Sequence, residues 1–411
     1  MPKTLGSILA ATTLVCLNLA HAQDPNEDLL TFANGVLFVS QTGLASGSSG
    51  SALLAIDGDP YRLGLSNDGN GPVTFVYQLP ALTQFETFGI PNVIEQPGNV
   101  TFVKNVVVSG SATGPDSGYQ QMAAFELETH GPDETVTWHD VQTTTPVRWL
   151  QVTFDDGINI EPGDEGRTVL WFSELIGLGV QDPVELSTAY TGEWRLKLTE
   201  RLDLSGLPFA LQQTGSSIRG CYNDISLSGS VNGPIARLSG EAADGSTAAM
   251  VLVADENDSI RASVAENGGR FRALTAVTVD EDVITECEPA GEIVGACGTN
   301  AYINFDYDSA AIRPESAGIL DDVYAGLVAE DASGISIVGH TSTEGDDAYN
   351  LELSGRRAQT VADALVARGL DPGSLRAIGL GESQPLITPD ASATARELNR
   401  RVAISCESRT R

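Results

Sequence analysis

Lysine is almost absent from this 411-residue chain, with three residues (Lys3, Lys104 and Lys197) against 55 aspartates and glutamates and a formal charge of −32. So acidic a surface repels phosphate backbones and anionic bilayers, and nucleic acid is removed from the candidate partners. Aromatic residues amount to 6%, too few for the paired girdles of a membrane barrel, and "SGSSGS" and "DGNGP" interrupt the strand-like runs. No Cys-x-x-Cys pair, nucleophile elbow or phosphate loop occurs, and His130, His139 and His340 have no metal or nucleophile spacing around them. Nothing in these patterns calls for catalysis, a cofactor or a metal. What the chain does have is 41% hydrophobic residues, enough for two or three separate cores.

The one long apolar run lies at the start. Lys3, the stretch Leu5 to Leu19 and the small-x-small triplet Ala20-His21-Ala22 predict an export signal over residues 1–22. Beyond it stand four cysteines, Cys221, Cys287, Cys297 and Cys406. An even number in an exported chain favours two disulfides. Three pairings are open, and the one that keeps each bridge within a region is Cys221 with Cys287 and Cys297 with Cys406.

Three textures divide the rest. Over 23–190, runs such as "VTFVYQL", "VTFVKNVVVSG" and "VRWLQVTFDDG" alternate apolar with polar residues between Gly, Pro and Asp turns, the pattern of an antiparallel β-sandwich. Over 191–289, six shorter strand runs from "EWRLKLTE" to "FRALTAVTV" predict a small β meander or barrel. Over 290–411, helix and strand signals alternate, giving a β-α-β-α-β-β layer. Its first helix follows Pro314 with Leu320, Val323 and Leu327 on one face. Its second starts at a cap on Asp346 or Asp347 and stops at Gly369. The fold class expected is therefore multidomain: two all-β regions and a C-terminal α/β sandwich.

In the second helix Leu353, Arg357, Val361 and Leu365 recur every four residues and share one face. An arginine in an apolar stripe needs an anionic partner or a route to water, and its planar fork suits a bidentate carboxylate. The alternative is that Arg357 snorkels past Leu353 to pair with Asp306 or Glu352.

The motifs "INFDYDSAAIRPES", "GHTSTEGDDAYNLELSGRRAQTVADALVARG", "AIGLGESQP" and "NRRVAIS" together resemble the OmpA-like C-terminal domain over about residues 300–408. That resemblance implies a periplasmic or outer-membrane protein of a Gram-negative cell envelope, held noncovalently to the diaminopimelate of the peptidoglycan stem peptide. A guanidinium on the helix, here Arg357, and a carboxylate after a strand would hold it. This chain departs from the family at the second: Ser342 stands where the family has Asp, and a hydroxyl cannot neutralise an ammonium. Glu344 and Asp346 are the loop carboxylates that would compensate. Thr341, Asn350 and Arg401 complete the expected ligand set, with Asn399 beside it in the closing motif.

The first β region also resembles discoidin-type, galactose-binding-like jelly rolls through "VRWLQVTFDDG" and its neighbouring runs. The resemblance implies a carbohydrate- or envelope-protein-binding module with Trp138, His139 or Arg148 on its loops. Against this stands the reading in which Trp138, Trp149 and Trp171 fill the sandwich core. Asp155, Asp156, Glu161 and Asp164 offer oxygen ligands without the spacing of a calcium loop, so no metal site is assigned. Two other functional classes stay open: an outer-membrane barrel with a periplasmic tail, and an OmpA-like fold that has lost diaminopimelate binding and serves protein interaction.

Overall fold

The computed structural model describes residues 27–407 except 45–50, 59–62, 67–71, 93–101, 128–134, 144, 159–168, 185, 199–204, 255–258, 270, 279–294, 307 and 391. The expected export signal, Cys287, Glu161 and Asp164 lie outside the described residues.

The first body is a sheet of nine strands. They are β1 (Leu37–Thr42), β2 (Leu63–Ser66), β3 (Val73–Pro91), β4 (Phe102–Ser111), β5 (Gln120–Glu126), β6 (Val136–Asp140), β7 (Val147–Ile158), β8 (Val169–Phe172) and β9 (Ile176–Gln181), with a short helix α1 (Ser51–Leu54). The order is β1-β3-β7-β4-β8-β2, with β5 on β4 and both β6 and β9 on β3. Strand β3 joins the two halves: its N-terminal part pairs with β1 and β7, its C-terminal part with β6 and β9. Alternation along β3 and β7 sends Phe75, Tyr77, Leu150, Val152 and Phe154 into the core, where Phe154 meets Phe75 and Phe172 edge-on at 5.2 and 4.7 Å.

The tryptophan core expected above is not formed. Trp138 is 47% exposed, and Trp149 and Trp171 are half-buried. Trp138 and His139 lie on strand β6 rather than on a loop. The indole lies across the cross-strand position Gly89, where any Cβ would come within 2.6 Å of the ring. His139 rests edge-on against Phe125 at 4.4 Å.

The second body is a closed eight-stranded barrel of antiparallel neighbours in chain order. Its strands are β10 (Gly192–Leu198), β11 (Leu207–Thr214), β12 (Ser217–Tyr222), β13 (Ile225–Asn232), β14 (Ile235–Glu241), β15 (Thr247–Ala254), β16 (Ile260–Glu266) and β17 (Arg272–Thr278). Strands β11 and β12 go beyond the six runs legible in the sequence, because the buried stretch Phe209-Ala210-Leu211 is continuous rather than alternating. Trp194, Phe209, Tyr222, Leu238, Met250 and Leu252 fill the interior. The outward residues Ile235, Ala249, Val251 and Val253 are buried too, against Phe32 and Leu37 of the first body and Tyr302, Ile387, Ala395 and Leu398 of the third.

The third body is a four-stranded sheet of order β18 (Thr299–Ala301), β21 (Val402–Ser405), β19 (Ile335–Gly339), β20 (Leu375–Gly379). Helices α2 (Ala317–Ala329) and α3 (Asp347–Arg368) pack with it. A further helix, α4 (Ala393–Asn399), corrects the expected β-α-β-α-β-β order to β-α-β-α-β-α-β. It is seven residues long, so its signal is chiefly the cap at Ser392, whose hydroxyl accepts from Ala395 N–H. The first strand is also shorter than the run "AYINFDYDS", because the chain turns back so that Phe305 bridges Ile312. Cys297 and Cys406 are disulfide-bonded and tie the two ends of this body together. Cys221 is disulfide-bonded as well.

Candidate functional site

Strand β19 ends at Gly339 and delivers His340, Thr341 and Ser342 to the loop before α3. A side chain at Gly339 would strike Ser354 O at 2.2 Å, and one at Gly379 would strike Gly355 N at 2.4 Å. These two bare positions let α3 lie directly on β19 and β20. Asp346 caps α3 by accepting from Ala348 N–H at 3.0 Å and Tyr349 N–H at 3.4 Å. Gly345, at φ +102°, makes the turn into that cap.

Asn350, one turn in, donates through Nδ2 to Glu344 O at 2.9 Å, Ser342 O at 3.3 Å and Glu382 Oε2 at 2.7 Å. Its amide shapes the loop. Ser342 is 5% exposed, and its hydroxyl donates to Glu344 Oε2 at 3.5 Å. Thr341 is buried, with an Oγ1 that meets no hydrogen-bond partner among the described residues. Burial, and then the positive Arg401, push the His340 imidazole down to about 3, so it is neutral at physiological pH.

Arg357 follows two turns after Asn350. Leu353, Val361 and Leu365 of its stripe are buried as the spacing predicts, while Arg357 itself is half-buried. Its Nε donates to Ser309 O at 2.9 Å, and its guanidinium lies 4.8 Å from the centre of the Phe305 ring. Its direct contacts are a neutral carbonyl and a π face, and the negative charges of Glu397 and Asp308 act on it only from beyond contact distance. The pairing with Asp306 or Glu352 is not made: Asp306 faces Arg313 at 3.8 Å and Glu352 pairs with Arg356. Among the described residues Arg357 forms no ion pair. Burial first, and then Arg400, lower its pKa to about 10, and it stays cationic at neutral pH.

The expected residue Arg401 is turned away from this cluster. It is 8% exposed and donates to Asn399 O and Gln384 O, beneath His340, whose N–H bonds to Arg401 O. Its neighbour Arg400 takes the exposed side instead. Arg400 donates to Glu344 Oε2 at 3.2 Å and to Glu397, and Arg396 Nε lies 3.4 Å from Glu344 Oε1. Burial alone would raise the Glu397 carboxyl, but Arg400 and Arg237 outweigh it and hold it at about 2. Arg237, on the barrel, reaches Glu397 at 3.9 Å and donates to Ala33 O of the first body at 3.0 Å. Arg400, Glu397, Phe305 and Ser309 were not legible as site residues. The paired arginines of "NRRVAI" were the available signal, and α4 decides which of them faces the loop. Asn399, named with Arg401 in that motif, is fully buried and holds the chain at Leu386 and Ile387.

Comparison with known proteins follows the same outline. Residues 304–400 match the OmpA family. Outer membrane porin F of Pseudomonas fluorescens is 37% identical over 105 residues, 26% of this chain and 32% of that protein. The chain spans between 24% and 54% of the length of the first curated relatives it matches. Among solved structures, the peptidoglycan-associated lipoprotein from Burkholderia pseudomallei is 26% identical and covers 26% of this chain and 88% of its own, with a TM-score of 0.24. The family 32 CBM from C. perfringens NanJ, solved with galactose, is 15% identical and covers 36% of this chain and 96% of its own, with a TM-score of 0.28. Residues 304–400, which include the cap at Asp346 and the arginine at position 357, are a domain of the OmpA family.

Proposed function

We propose that this chain is a Gram-negative cell-envelope protein that associates noncovalently with peptidoglycan through residues 290–411. The β regions 23–190 and 191–289 serve as modules that bind carbohydrate or other envelope proteins. The observation that carries the reading is Arg357: a half-buried guanidinium on α3, stacked on Phe305 and hydrogen-bonded among the described residues to a carbonyl alone, that of Ser309. Such a group is stabilised by an incoming carboxylate, and the diaminopimelate of the stem peptide supplies one. The barrel argues against the membrane-barrel alternative. Its strands are six to eight residues long and its interior is apolar, whereas a spanning barrel needs about 9–11 residues per strand and turns its apolar face outward.

The test is co-sedimentation of the mature full chain with isolated peptidoglycan at fixed salt. Loss of a charge-assisted bond of about 1.5–3 kcal/mol predicts a binding loss of about 10- to 100-fold in Arg357→Ala. Ser342→Gly should change binding far less. A folded wild type that does not sediment, with binding appearing only in Ser342→Asp, would refute the reading and point to an OmpA fold kept for protein interaction.

A further inference from the structure

Strand β6 of the first body carries an open aromatic surface, and the partner assigned to it here rests on the reading of that region as an interaction module. Trp138 lies over Gly89, with ring carbons Cζ3, Cε3 and Cη2 at 2.6, 2.8 and 2.9 Å from the point that a Gly89 Cβ would occupy. The middle carbon is hardly nearer than the two beside it, so that point stands over the ring plane and not off its edge. The indole is therefore laid flat on the bare backbone of β3, and its second face is open to solvent, which leaves the residue 47% exposed. Alternation along β6 puts Val136 and Asp140, both exposed, on the same side as Trp138, while His139 turns inward onto Phe125.

Charge and backbone together say what fits there. Asp140 stands opposite Thr87, next to the exposed Glu86. Neither carboxylate forms an ion pair among the described residues, and β3, β6 and β9 contain no lysine or arginine. In a chain of formal charge −32 this corner draws cations, and the face of an indole is the best aromatic acceptor for one. The backbone of β6 pairs with β3 alone among the described residues, which leaves its other edge open. None of the devices that guard an edge is present, since no lysine, proline or bulge interrupts Val136–Asp140. An open edge of this kind accepts an extended chain as a further strand.

We propose that β6 binds an extended segment of a basic partner protein, added to its open edge, with one arginine or lysine over the Trp138 indole and a second, two residues along, at Asp140. The spacing follows from strand geometry. Residues opposite one another on neighbouring strands have Cβ atoms about 4.5–5.5 Å apart, and only every second residue shares a face. A segment that sets one cation beside Trp138 thus brings the residue two along to Asp140, where a guanidinium meets the carboxylate through its fork. A neutral sugar would stack on the indole as well, but it uses neither the charge of Glu86 and Asp140 nor the open backbone.

The experiment is fluorescence anisotropy of two labelled, blocked heptapeptides of valine and threonine with the mature full chain, at about 0.15 M salt, where long-range attraction is screened beyond about 8 Å. One peptide carries arginines at its third and fifth positions and the other at its third and fourth, so charge and composition are equal and only the alternation differs. The wild type is expected to bind the alternating peptide about two- to fivefold more tightly, and the β6 amides to gain hydrogen-exchange protection in that complex. Trp138→Ala and Asp140→Asn should each close the gap between the peptides, whereas Glu241→Gln, which removes the same charge from an exposed position on the barrel, should not. Equal binding of the two peptides, a gap that survives Trp138→Ala, or protection that appears away from β6 overturns the inference. Binding of lactose that Trp138→Ala abolishes, with no preference between the peptides, overturns it too but keeps the region as an interaction module for sugar. A folded wild type that takes up none of the three probes refutes both the inference and the module reading of this face.

Discussion

Replacing Glu397 by glutamine should destabilise the joint between the barrel and the OmpA domain while leaving the packing nearly unchanged. Its carboxylate is the anion shared by Arg237, whose side chain is 6% exposed, and Arg400, at 32%. The two guanidiniums hold Glu397 at about 2, against an ordinary value of 4.5. At about 1.4 kcal/mol for each tenfold change in proton affinity, that difference is on the order of 3 kcal/mol of stability. Removing one partner of a buried pair costs a similar amount, about 3–5 kcal/mol, because the remaining charge stays desolvated. The sign follows from the depressed native value: the contribution is full above about pH 4.5 and is lost as pH falls toward 2. Urea unfolding at pH 7 should therefore show Glu397→Gln less stable by about 3 kcal/mol, with the gap closing as both proteins are taken to acid. The double variant Arg237→Met/Glu397→Leu removes both charges and should recover more than half of the loss. A Glu397→Gln variant within about 0.5 kcal/mol of wild type at pH 7 would refute the reasoning, since surface substitutions fall in that range.

Three further outcomes follow from particular contacts. Gly379→Ala places a methyl 2.4 Å from Gly355 N and should cost about 1–3 kcal/mol in urea unfolding by pushing α3 off β20; peptidoglycan binding should fall with it because Arg357 rides on α3. His340 is held neutral at about 3 by burial and Arg401, so the unfolded chain takes up its proton first, and stability falls as pH drops below about 6.5. His340→Gln should flatten that part of the pH–stability curve. The Cys297–Cys406 bridge closes a separation of 109 residues, and Cys297→Ser/Cys406→Ser should lower denaturant stability by up to about 4.7 kcal/mol on the chain-entropy argument.

Much of the OmpA domain was legible because its signals are local. The cap at Asp346, the stop at Gly369 in a left-handed conformation and the buried faces of α2 and α3 all fall where spacing and capping chemistry place them. The first β region was legible as strands but not as a core. Trp138 is large and apolar, yet its partner across the sheet is Gly89, which leaves the ring lying on the outside. Within the site, Arg357 could be named from its stripe because helical periodicity fixes which way it faces. Arg400 and Arg401 could not be told apart in the same way. Neither lies inside a regular element, and only the unanticipated helix α4 turns one toward Glu344 and buries the other under His340.

That difference bears on how the site is held. Strand periodicity alone explains why the interior of β15 is apolar, but β15 is apolar on both faces, with Met250 and Leu252 inside and Ala249, Val251 and Val253 outside. A barrel exposed all round would carry polar residues on its outer positions. The outer apolar face is covered instead by Phe32 and Leu37 from one side and by Tyr302, Ile387, Ala395 and Leu398 from the other. Polar contacts fix the register of this contact: the Tyr302 hydroxyl and Asn300 Nδ2 both reach Ser239 Oγ at 2.9 Å, and Ala393 N–H bonds to Gly58 O at 2.9 Å. Helix α4 thus has two duties in seven residues. Ala395 and Leu398 seal it to the other bodies, while Arg396, Glu397 and the following Arg400 set the charge beside the Ser342 loop. A substitution on the barrel, at Arg237, therefore reaches the guanidinium cluster through Glu397, and the charge balance beside the Ser342 loop is a property of the joined chain rather than of residues 304–400 alone.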